Sequence, residues 1–454
     1  MNELAAHLDA RIRSREAKVG VIGLGYVGLP LALAFAEGGF QVLGFDVDHG
    51  KPARILAGDC YIRHLEEERL RRAVSADGTP AGGRLDATSD FERLGEPDAL
   101  LICVPTPLDS HREPDLRYVE QTIRAIRRRL RPGQLVVLES TTYPGTTDEL
   151  VRRLLEDPSG GEPAGGTFRC GETVFIAFSP EREDPGNPRY RTTDIPKVVG
   201  GVDRVSGDLA ERLYGGIIDR VVRVSSARTA EASKLTENIF RAVNIALVNE
   251  LKVVYDRLGI DIWEVLDAAE TKPFGFMRFD PGPGWGGHCI PLDPFYLSWK
   301  AREAGVTTRF IELAGEVNVG MPGYVIGKLQ EALNRCGKPV QGSKILVLGL
   351  AYKRDIDDPR ESPAFEIIDR LLALGAEVAY HDPHIPVAPA MRTWPDLPPM
   401  RSVPLGADRL RACDAVLLVT DHRAVDYRLV LEHAPLIVDT RGVLRDVDPR
   451  VVRA

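Results

Sequence analysis

A chain of 454 residues is longer than one hydrophobic core usually supports, so two or three domains are expected. Its hydrophobic share of 44% and charged share of 27% are those of a soluble globular protein. The formal net charge of −8, with basic residues interspersed among acidic ones, argues against a nucleic-acid-binding surface.

The first predicted elements form a strand, a glycine turn, a helix and a second strand. Residues 18–28 are an apolar strand that runs into the turn, and residues 29–37 have a helical pattern. Further strands are predicted at residues 41–45, 99–104, 135–138, 174–178 and 197–199, with a helix over 116–130. Strands that alternate with helices predict a parallel, doubly wound sheet.

A long helix is predicted over residues 229–258, with Thr229 as N-cap and Gly259 as the C-terminal stop. Its apolar residues recur at spacings of three and four, and others lie off that stripe. A helix that is apolar on more than one face is buried on more than one side. We expect it to bridge two domains and to pack against a second subunit.

The C-terminal part repeats the opening pattern. Residues 344–351 resemble the first strand and turn, and 377–382, 414–419 and 436–439 correspond to the later strands. The predicted fold is therefore α/β, with two Rossmann-like doubly wound domains joined by a long central helix and a helical middle domain. The predicted boundaries are 1–215, 216–334 and 335–454. The second turn lacks two of the glycines, so we expect it to hold another nucleotide.

The first turn carries a dinucleotide-binding fingerprint, made of Gly23, Gly25 and Gly28. These glycines allow a tight turn and close approach of a pyrophosphate to a helix N-terminus. Asp46 follows the second strand, 18 residues after Gly28, and a carboxylate there favours NAD over NADP. The alternative is a Rossmann-like domain that binds no dinucleotide.

Polar loops follow several predicted strands, where the carboxyl ends of a parallel sheet face the ligand crevice. They hold Thr106, Thr141 and Glu181, which are candidates for contacting cofactor, water or substrate. Ordinary turn chemistry is the alternative for Thr106 and Thr141, and a solvated turn is the alternative for Glu181. On the long helix, Lys234 and Asn238 are four residues apart and share a face, so a lysine there could stabilise an oxyanion. A surface lysine is the alternative.

Cys289 lies in a glycine-rich loop, Gly284-Trp285-Gly286-Gly287-His288-Cys289, and Asp293 follows it. Core cysteines usually lie in apolar runs, so this setting indicates a nucleophilic thiol. Such a thiol needs a nearby cation to ionise, and Lys234 is our candidate. His288 adjoins the thiol in sequence and is not assigned as its base. The sequence predicts no metal site.

A charged loop follows the first strand of the second Rossmann-like domain. It contains Lys353, Asp355 and Arg360, and a lysine and an arginine there suit a phosphate or a carboxylate. A loop held by internal salt bridges is the alternative.

Together these motifs resemble the nucleotide-sugar 6-dehydrogenases, the UDP-glucose dehydrogenase superfamily, over about residues 18–444. The fingerprint with Tyr26 and Val27, the glycine loop and residues 353–362 appear in family order. Residues 179–186 and 281–289 look like the branch that acts on UDP-N-acetylhexosamines. The run 272–276 is similar to the UDP-N-acetylglucosamine members.

The resemblance implies a set of roles. Those for catalysis are Cys289 as nucleophile, Lys234 and Asn238 on substrate and intermediate, Glu181 on substrate, Thr141 placing water and Asp293 assisting proton transfer. Those for NAD are Gly23, Gly25, Tyr26, Val27, Gly28, Asp46, Thr106, Thr141 and Arg360. Those for the UDP-sugar are Glu181, Lys234, Asn238, Gly284, Gly286 and Lys353. Pro185 stands where the UDP-glucose branch has a glutamate, and the roles of Arg278 and Arg441 are left open.

Two other classes of protein fit part of the sequence. A regulatory protein could retain both Rossmann halves without turnover, and a 3-hydroxy acid dehydrogenase also joins a Rossmann domain to a helical one. The six scattered cysteines and the absence of a signal segment or a long apolar run predict a cytoplasmic protein that does not enter a membrane. A homodimer or larger homo-oligomer through residues 229–258 is expected. The sequence does not fix the sugar: N-acetylglucosamine comes first, with N-acetylmannosamine, N-acetylgalactosamine and glucose behind it.

Overall fold

The structure is a computed structural model that describes residues 2–62, 65–75, 77–109, 113–157, 167–182, 192–287, 290–391, 393–445 and 448–454. Two compact units are formed. The first holds the described residues up to Glu237 with Arg302–Ala304, and the second holds those of Asn238–Ala301 and Gly305–Ala454.

The first unit contains a sheet of eight strands among its described residues, in the order β3-β2-β1-β4-β5-β6-β7-β8. The strands are β1 Lys18–Ile22, β2 Gln41–Phe45, β3 Arg84–Thr88, β4 Ala99–Ile102, β5 Leu135–Leu138, β6 Phe175–Phe178, β7 Lys197–Gly201 and β8 Val221–Arg223. The helices are α1 Glu3–Arg13, α2 Gly28–Glu37, α3 Gly50–Leu56, α4 Glu67–Val74, α5 Arg117–Arg129, α6 Arg152–Glu156, α7 Arg204–Tyr214 and α8 Ala227–Leu258, which continues into the second unit.

The predicted doubly wound sheet is confirmed in this unit. β4, β5 and β6 are buried at every position, as expected for parallel strands covered on both faces. The strand order reverses between β1 and β4, which places the switch point of the sheet beside the glycine turn. One pairing departs from the parallel pattern, because β6 and β7 run antiparallel.

The N-cap that we predicted for the long helix is wrong by one turn. The helix α8 begins at Ala227, so Thr229 lies inside it. The hydroxyl of Ser226 accepts the Thr229 N–H at 3.2 Å and does the capping instead. The predicted end of the helix, at Leu258 before Gly259, is confirmed.

The second unit contains a parallel sheet of five strands among its described residues, in the order β10-β9-β11-β12-β13. The strands are β9 Lys344–Leu348, β10 Glu377–His381, β11 Ala415–Leu418, β12 Ile437–Asp439 and β13 Val451–Arg453. The helices are α9 Ile262–Glu270, α10 Asp293–Glu303, α11 Arg309–Arg335, α12 Pro363–Ala373, α13 Ala407–Ala412 and α14 Tyr427–His433. The predicted second Rossmann-like sheet is therefore confirmed, with its switch point between β9 and β11.

Helix α8 exposes part of its apolar surface in the single chain. Phe240, Leu247 and Leu258 are 49%, 52% and 65% exposed, whereas Leu235 is fully buried. Among the described residues, none of the helices combines the length and the apolar character needed to cross a bilayer.

Candidate active site

The glycine turn between β1 and α2 has the geometry of a phosphate cradle. Gly23 has a φ of +92°, and a Cβ on Gly28 would lie 1.9 Å from the carbonyl oxygen of Gly23. These two positions need glycine for the turn itself. A Cβ on Gly25 would meet no protein atom within 4 Å, so this side of the turn is open to a ligand. Since α2 begins at Gly28, the opening lies beside a helix N-terminus.

Asp46, predicted to bind the ribose, is buried at the end of β2 and faces this turn. Its Oδ2 accepts the Leu24 N–H at 2.9 Å and pairs with Lys51 at 2.9 Å, and its Oδ1 accepts the Asp48 N–H at 3.0 Å. A carboxylate has about four acceptor positions, so these bonds leave capacity on Oδ1. The turn and Asp46 together fit a dinucleotide with an unmodified ribose.

The loops predicted to carry polar site residues do follow neighbouring strands. Thr106 comes after β4 and is buried, and Thr141 comes after β5 and is half-buried. Ser140 joins the two loops, because its hydroxyl donates to the Val104 carbonyl at 2.7 Å. Glu181 follows β6, which is the next strand of the same sheet. The three loops therefore share one edge, as the sequence predicts.

Lys234 is brought to Glu181 by the first turns of α8. It is 8% exposed, and its Nζ donates to the Glu181 backbone carbonyl at 2.5 Å. The alternative of a surface lysine is therefore wrong.

A buried charged pair that sequence reasoning missed lies beside Glu181. Lys197 donates to the Glu139 carboxylate at 2.6 Å, and its Nζ is 3.9 Å from the Glu181 carboxylate. The hydroxyl of Tyr214 also donates to Glu139. Burial alone would lower the pKa of Lys197, but the charges of Glu139 and Glu181 outweigh it and raise that pKa. Lys197 is therefore a cation close to a predicted substrate contact.

In the second unit, Asn238 and Asp293 are brought together. The Asn238 side-chain amide donates to the buried Asp293 carboxylate at the start of α10, and its oxygen accepts from Arg241 at 2.9 Å. The amide is thus fixed in orientation by two charged neighbours.

The glycine loop packs against the loop that follows β9. A Cβ on Gly286 would lie 2.7 Å from the Cβ of Tyr352, and one on Gly287 would lie 2.9 Å from the Tyr352 ring. Gly284 has a φ of +134°. Glycine is therefore required at these positions by close packing against Tyr352 and by the positive φ of Gly284. Cys289 and His288 lie outside the described residues, as does Pro185.

A cavity of about 860 Å³ lies in the second unit beside this loop. Its basic lining residues are Arg278, Lys353, Arg354, Arg423, Arg441 and Arg445, against the acidic Glu270, Asp280 and Asp421. Lys353, which the sequence predicts to contact the substrate, lines this cavity. Arg360 does not line this cavity and pairs with Asp358 at 2.6 Å.

Arg441 and Arg278 line the same cavity but differ in their ion pairs. Arg278 forms ion pairs with Asp267, Glu270 and Asp280 at 2.7 to 2.9 Å. Arg441 instead donates from Nε to the Val419 carbonyl at 2.8 Å, and within the described part of the chain no carboxylate pairs with it. Burial lowers the pKa of Arg441, although a guanidinium keeps its charge at neutral pH. The cavity therefore suits an anionic ligand such as a diphosphate.

Three domains of one protein family match the chain in order. The NAD binding domain of the UDP-glucose/GDP-mannose dehydrogenase family matches residues 17–218, its central domain 228–319 and its UDP binding domain 346–446. The chain belongs to the UDP-glucose/GDP-mannose dehydrogenase family. It is accordingly an NAD-dependent UDP-sugar dehydrogenase, as the sequence predicts.

Relatives named for different sugars match nearly the whole chain. A UDP-N-acetyl-D-glucosamine 6-dehydrogenase of Pseudomonas aeruginosa is 35% identical over 90% of this chain and 91% of its own length. An NDP-N-acetyl-D-galactosaminuronic acid dehydrogenase of Ralstonia nicotianae is 37% identical over 94% and 96%. The solved UDP-D-ManNAc dehydrogenase of Pyrococcus horikoshii superposes with a TM-score of 0.83 at 32% identity, over 96% of this chain and 98% of that one.

Proposed function

We propose that this dehydrogenase oxidises the C6 alcohol of a UDP-N-acetylhexosamine, first of all UDP-N-acetylglucosamine, to the carboxylate. The observation that carries the nucleotide part of the substrate is the cavity of about 860 Å³. Its wall holds the guanidinium of Arg441, which has no ion-pair partner among the described residues. Relatives named for acetylated amino sugars support the acetamido group, and the run 272–276 favours the gluco configuration. A product of this kind is a building block for surface polysaccharides.

In this proposal Arg441 and Lys353 bind the diphosphate of the nucleotide. An arginine presents a planar fork that matches phosphate oxygens, and a lysine adds a mobile point charge. Arg278 is already surrounded by three carboxylates, so we give it the role of shaping the wall. Arg360 keeps its predicted role at a phosphate, which requires it to leave Asp358.

The cofactor would be held by the open glycine turn at Gly25, the N-terminus of α2 and the carboxylate of Asp46. Tyr26 and Val27 belong to the same turn, and Thr106 lies on the loop after β4. When bound, NAD supplies the acceptor for the hydrides that leave C6 of the sugar.

The chemistry at C6 is proposed to pass through Cys289. The first oxidation turns the alcohol into an aldehyde and releases one proton. The thiolate then adds to the aldehyde carbon and the oxygen takes up a proton, which gives a thiohemiacetal. The second oxidation removes the remaining C6 hydrogen as hydride, the hydroxyl group loses its proton, and a thioester results. Water adds to the thioester carbon, the C–S bond breaks, and the carboxylate and the free thiol are released.

We assign the remaining catalytic roles to residues that the structure describes. Lys234 and Asn238 stabilise the negative charge that develops on the C6 oxygen. Asp293, held by Asn238, assists proton transfer, while Thr141 places the water and Glu181 contacts the sugar. The buried cation of Lys197 stabilises the carboxylate of Glu181 electrostatically, since their charged atoms are 3.9 Å apart.

Assembly, domain limits and location are also proposals. The exposed apolar residues of α8 support a homodimer formed through residues 229–258. We retain the division into 1–215, 216–334 and 335–454 for the NAD, helical and UDP-sugar parts. The five described cysteines are all free thiols, which supports a reducing cytoplasm.

The test is turnover with a panel of UDP-sugars, followed by absorbance of reduced nicotinamide and by analysis of the sugar product. Two NADH per uronic acid are expected, with UDP-N-acetylglucosamine the best substrate. Cys289→Ser should lose acid formation while NAD binding survives. Cys336→Ser, which replaces an exposed thiol, is the matched control and should retain full turnover. Acid formation by Cys289→Ser would remove the thiol from the mechanism, and preference for another sugar would reassign the substrate.

A further inference from the structure

The carboxylate of Glu231 binds a loop that is far from it in sequence. Its Oε2 accepts the Gly145 N–H at 2.6 Å, and its Oε1 accepts the N–H and the hydroxyl of Thr147 at 2.8 and 2.7 Å. Glu231 and Thr147 are fully buried. These bonds close the start of a π-helical turn, Thr146–Val151, whose first N–H groups have no partner inside the turn. Glu231 therefore fixes the segment that follows Thr141.

Glu231 also shares a helix face with Lys234, which lies three residues later on α8. Lys234 holds the loop after β6 through the Glu181 carbonyl. Glu231 holds the loop after β5, and β5 and β6 are adjacent strands. One turn of helix thus determines where both loops lie.

Two opposing effects act on the protonation of the Glu231 carboxylate. Burial raises the pKa of Glu231 to about 7, against the effect of the three hydrogen bonds that favour the anion. A residue whose only task was to fill space would be a neutral one, because a buried carboxylate is costly to desolvate. The donors of the loop require acceptors on both oxygens, which a carboxylate supplies and an amide does not.

We propose that Glu231 is a positioning residue of the reaction, which sets the distance between Thr141 and Lys234. Because its side chain is fully buried, we give it no contact with substrate or cofactor. It acts on the water that Thr141 places and therefore on hydrolysis of the thioester. This inference rests on the proposed function.

The first experiment compares Glu231→Gln with Asp203→Asn in steady-state and rapid kinetics. Asp203 is a matched control, because its carboxylate caps α7 in the same unit by accepting from the N–H and the hydroxyl of Ser206 at 3.0 and 2.5 Å. Glu231→Gln is expected to lower kcat about 10- to 100-fold, since an error of about 1 Å in position has that effect. KM for both substrates should change less than about threefold, and Asp203→Asn should turn over like the wild type.

The fate of the thioester intermediate distinguishes a positioning role from a purely structural one. In Glu231→Gln a rapid burst of NADH should precede slow turnover, and intact mass measurement should show the sugar acyl group on the protein. Adding Thr141→Ala to Glu231→Gln should cause less than about a twofold further loss, because both changes remove the same contribution. Additive losses, or a variant without a burst, would overturn the inference.

Failure of the inference is separable from failure of the proposed function. A wild type that oxidises none of the UDP-sugars tested disproves the function before any variant is made. A wild type that is active, with a Glu231→Gln variant that matches it, disproves only the positioning role. If Glu231→Gln does not fold, Glu231→Asp retains both acceptor oxygens on a shorter arm, and the same burst is expected from it.

Discussion

Gly25→Ala should separate cofactor binding from folding. The residue has no positive φ, and a Cβ there would meet no protein atom within 4 Å. Alanine therefore fits the folded backbone, and it restricts the unfolded chain by about 0.4–1 kcal/mol in favour of folding. We expect a thermal midpoint that is no lower than that of the wild type.

The same substitution should weaken the binding of NAD. The new methyl group occupies the open side of the turn, where the pyrophosphate must approach backbone N–H groups closely. Loss of one hydrogen bond to a charged group costs about 1.5–3 kcal/mol. At about 1.4 kcal/mol for each factor of ten, the dissociation constant of NAD should rise about 10- to 150-fold.

Titration calorimetry with NAD and with UDP, together with thermal unfolding, would measure both effects. UDP binding should be unchanged. Gly327→Ala is the control, since a Cβ at that position of α11 also meets no atom within 4 Å. Gly28→Ala should behave in the reverse way and destabilise the fold, because its Cβ would lie 1.9 Å from a carbonyl oxygen. Wild-type NAD affinity in Gly25→Ala would refute the assignment of the open side of the turn to the pyrophosphate.

Two further predictions concern charged groups. Asp46→Asn should lower the ratio of kcat/KM for NAD to kcat/KM for NADP about tenfold or more, because it removes the charge that repels the extra phosphate of NADP. An unchanged ratio would contradict the assignment of Asp46 to the ribose. Lys252 is buried on α8, and burial lowers its pKa from 10.5 to about 7. The unfolded chain then binds more protons between these values, so the free energy of unfolding should rise with pH from about 7 towards 10. Lys252→Met should flatten that slope in urea unfolding at pH 7 and 9, and an equal slope in both proteins would show that Lys252 is not its source.

The parts of the fold that the sequence predicts are those set by local pattern. The apolar runs at residues 41–45 and 135–138 form strands with those bounds, and the periodic stripe of α8 ends where Gly259 requires it. The start of α8 was missed because Ser226 and Thr229 are both good caps, and only the surrounding structure selects Ser226. Glycine is needed at 286 and 287 because Tyr352 packs against them, and a contact with a residue so distant in the chain has no local signal in the sequence.

In the candidate site, the sequence identifies the residues predicted to contact ligands but not the buried charged groups that hold them in place. Motifs identify residues that would touch a ligand, such as Asp46 and Lys234, because their spacing from a strand or along a helix is regular. The groups that hold those residues have no such spacing: Glu139 bonds to Lys197 across 58 residues, and Glu231 bonds to the loop at Gly145 across 86. Glu139 ends the apolar run 135–138, and Glu231 lies in the first turns of α8. At both positions an exposed carboxylate is the ordinary interpretation. Because these acids are buried and bear on the active loops, substitutions there should change turnover and stability together, whereas substitutions at the open side of the glycine turn change binding alone.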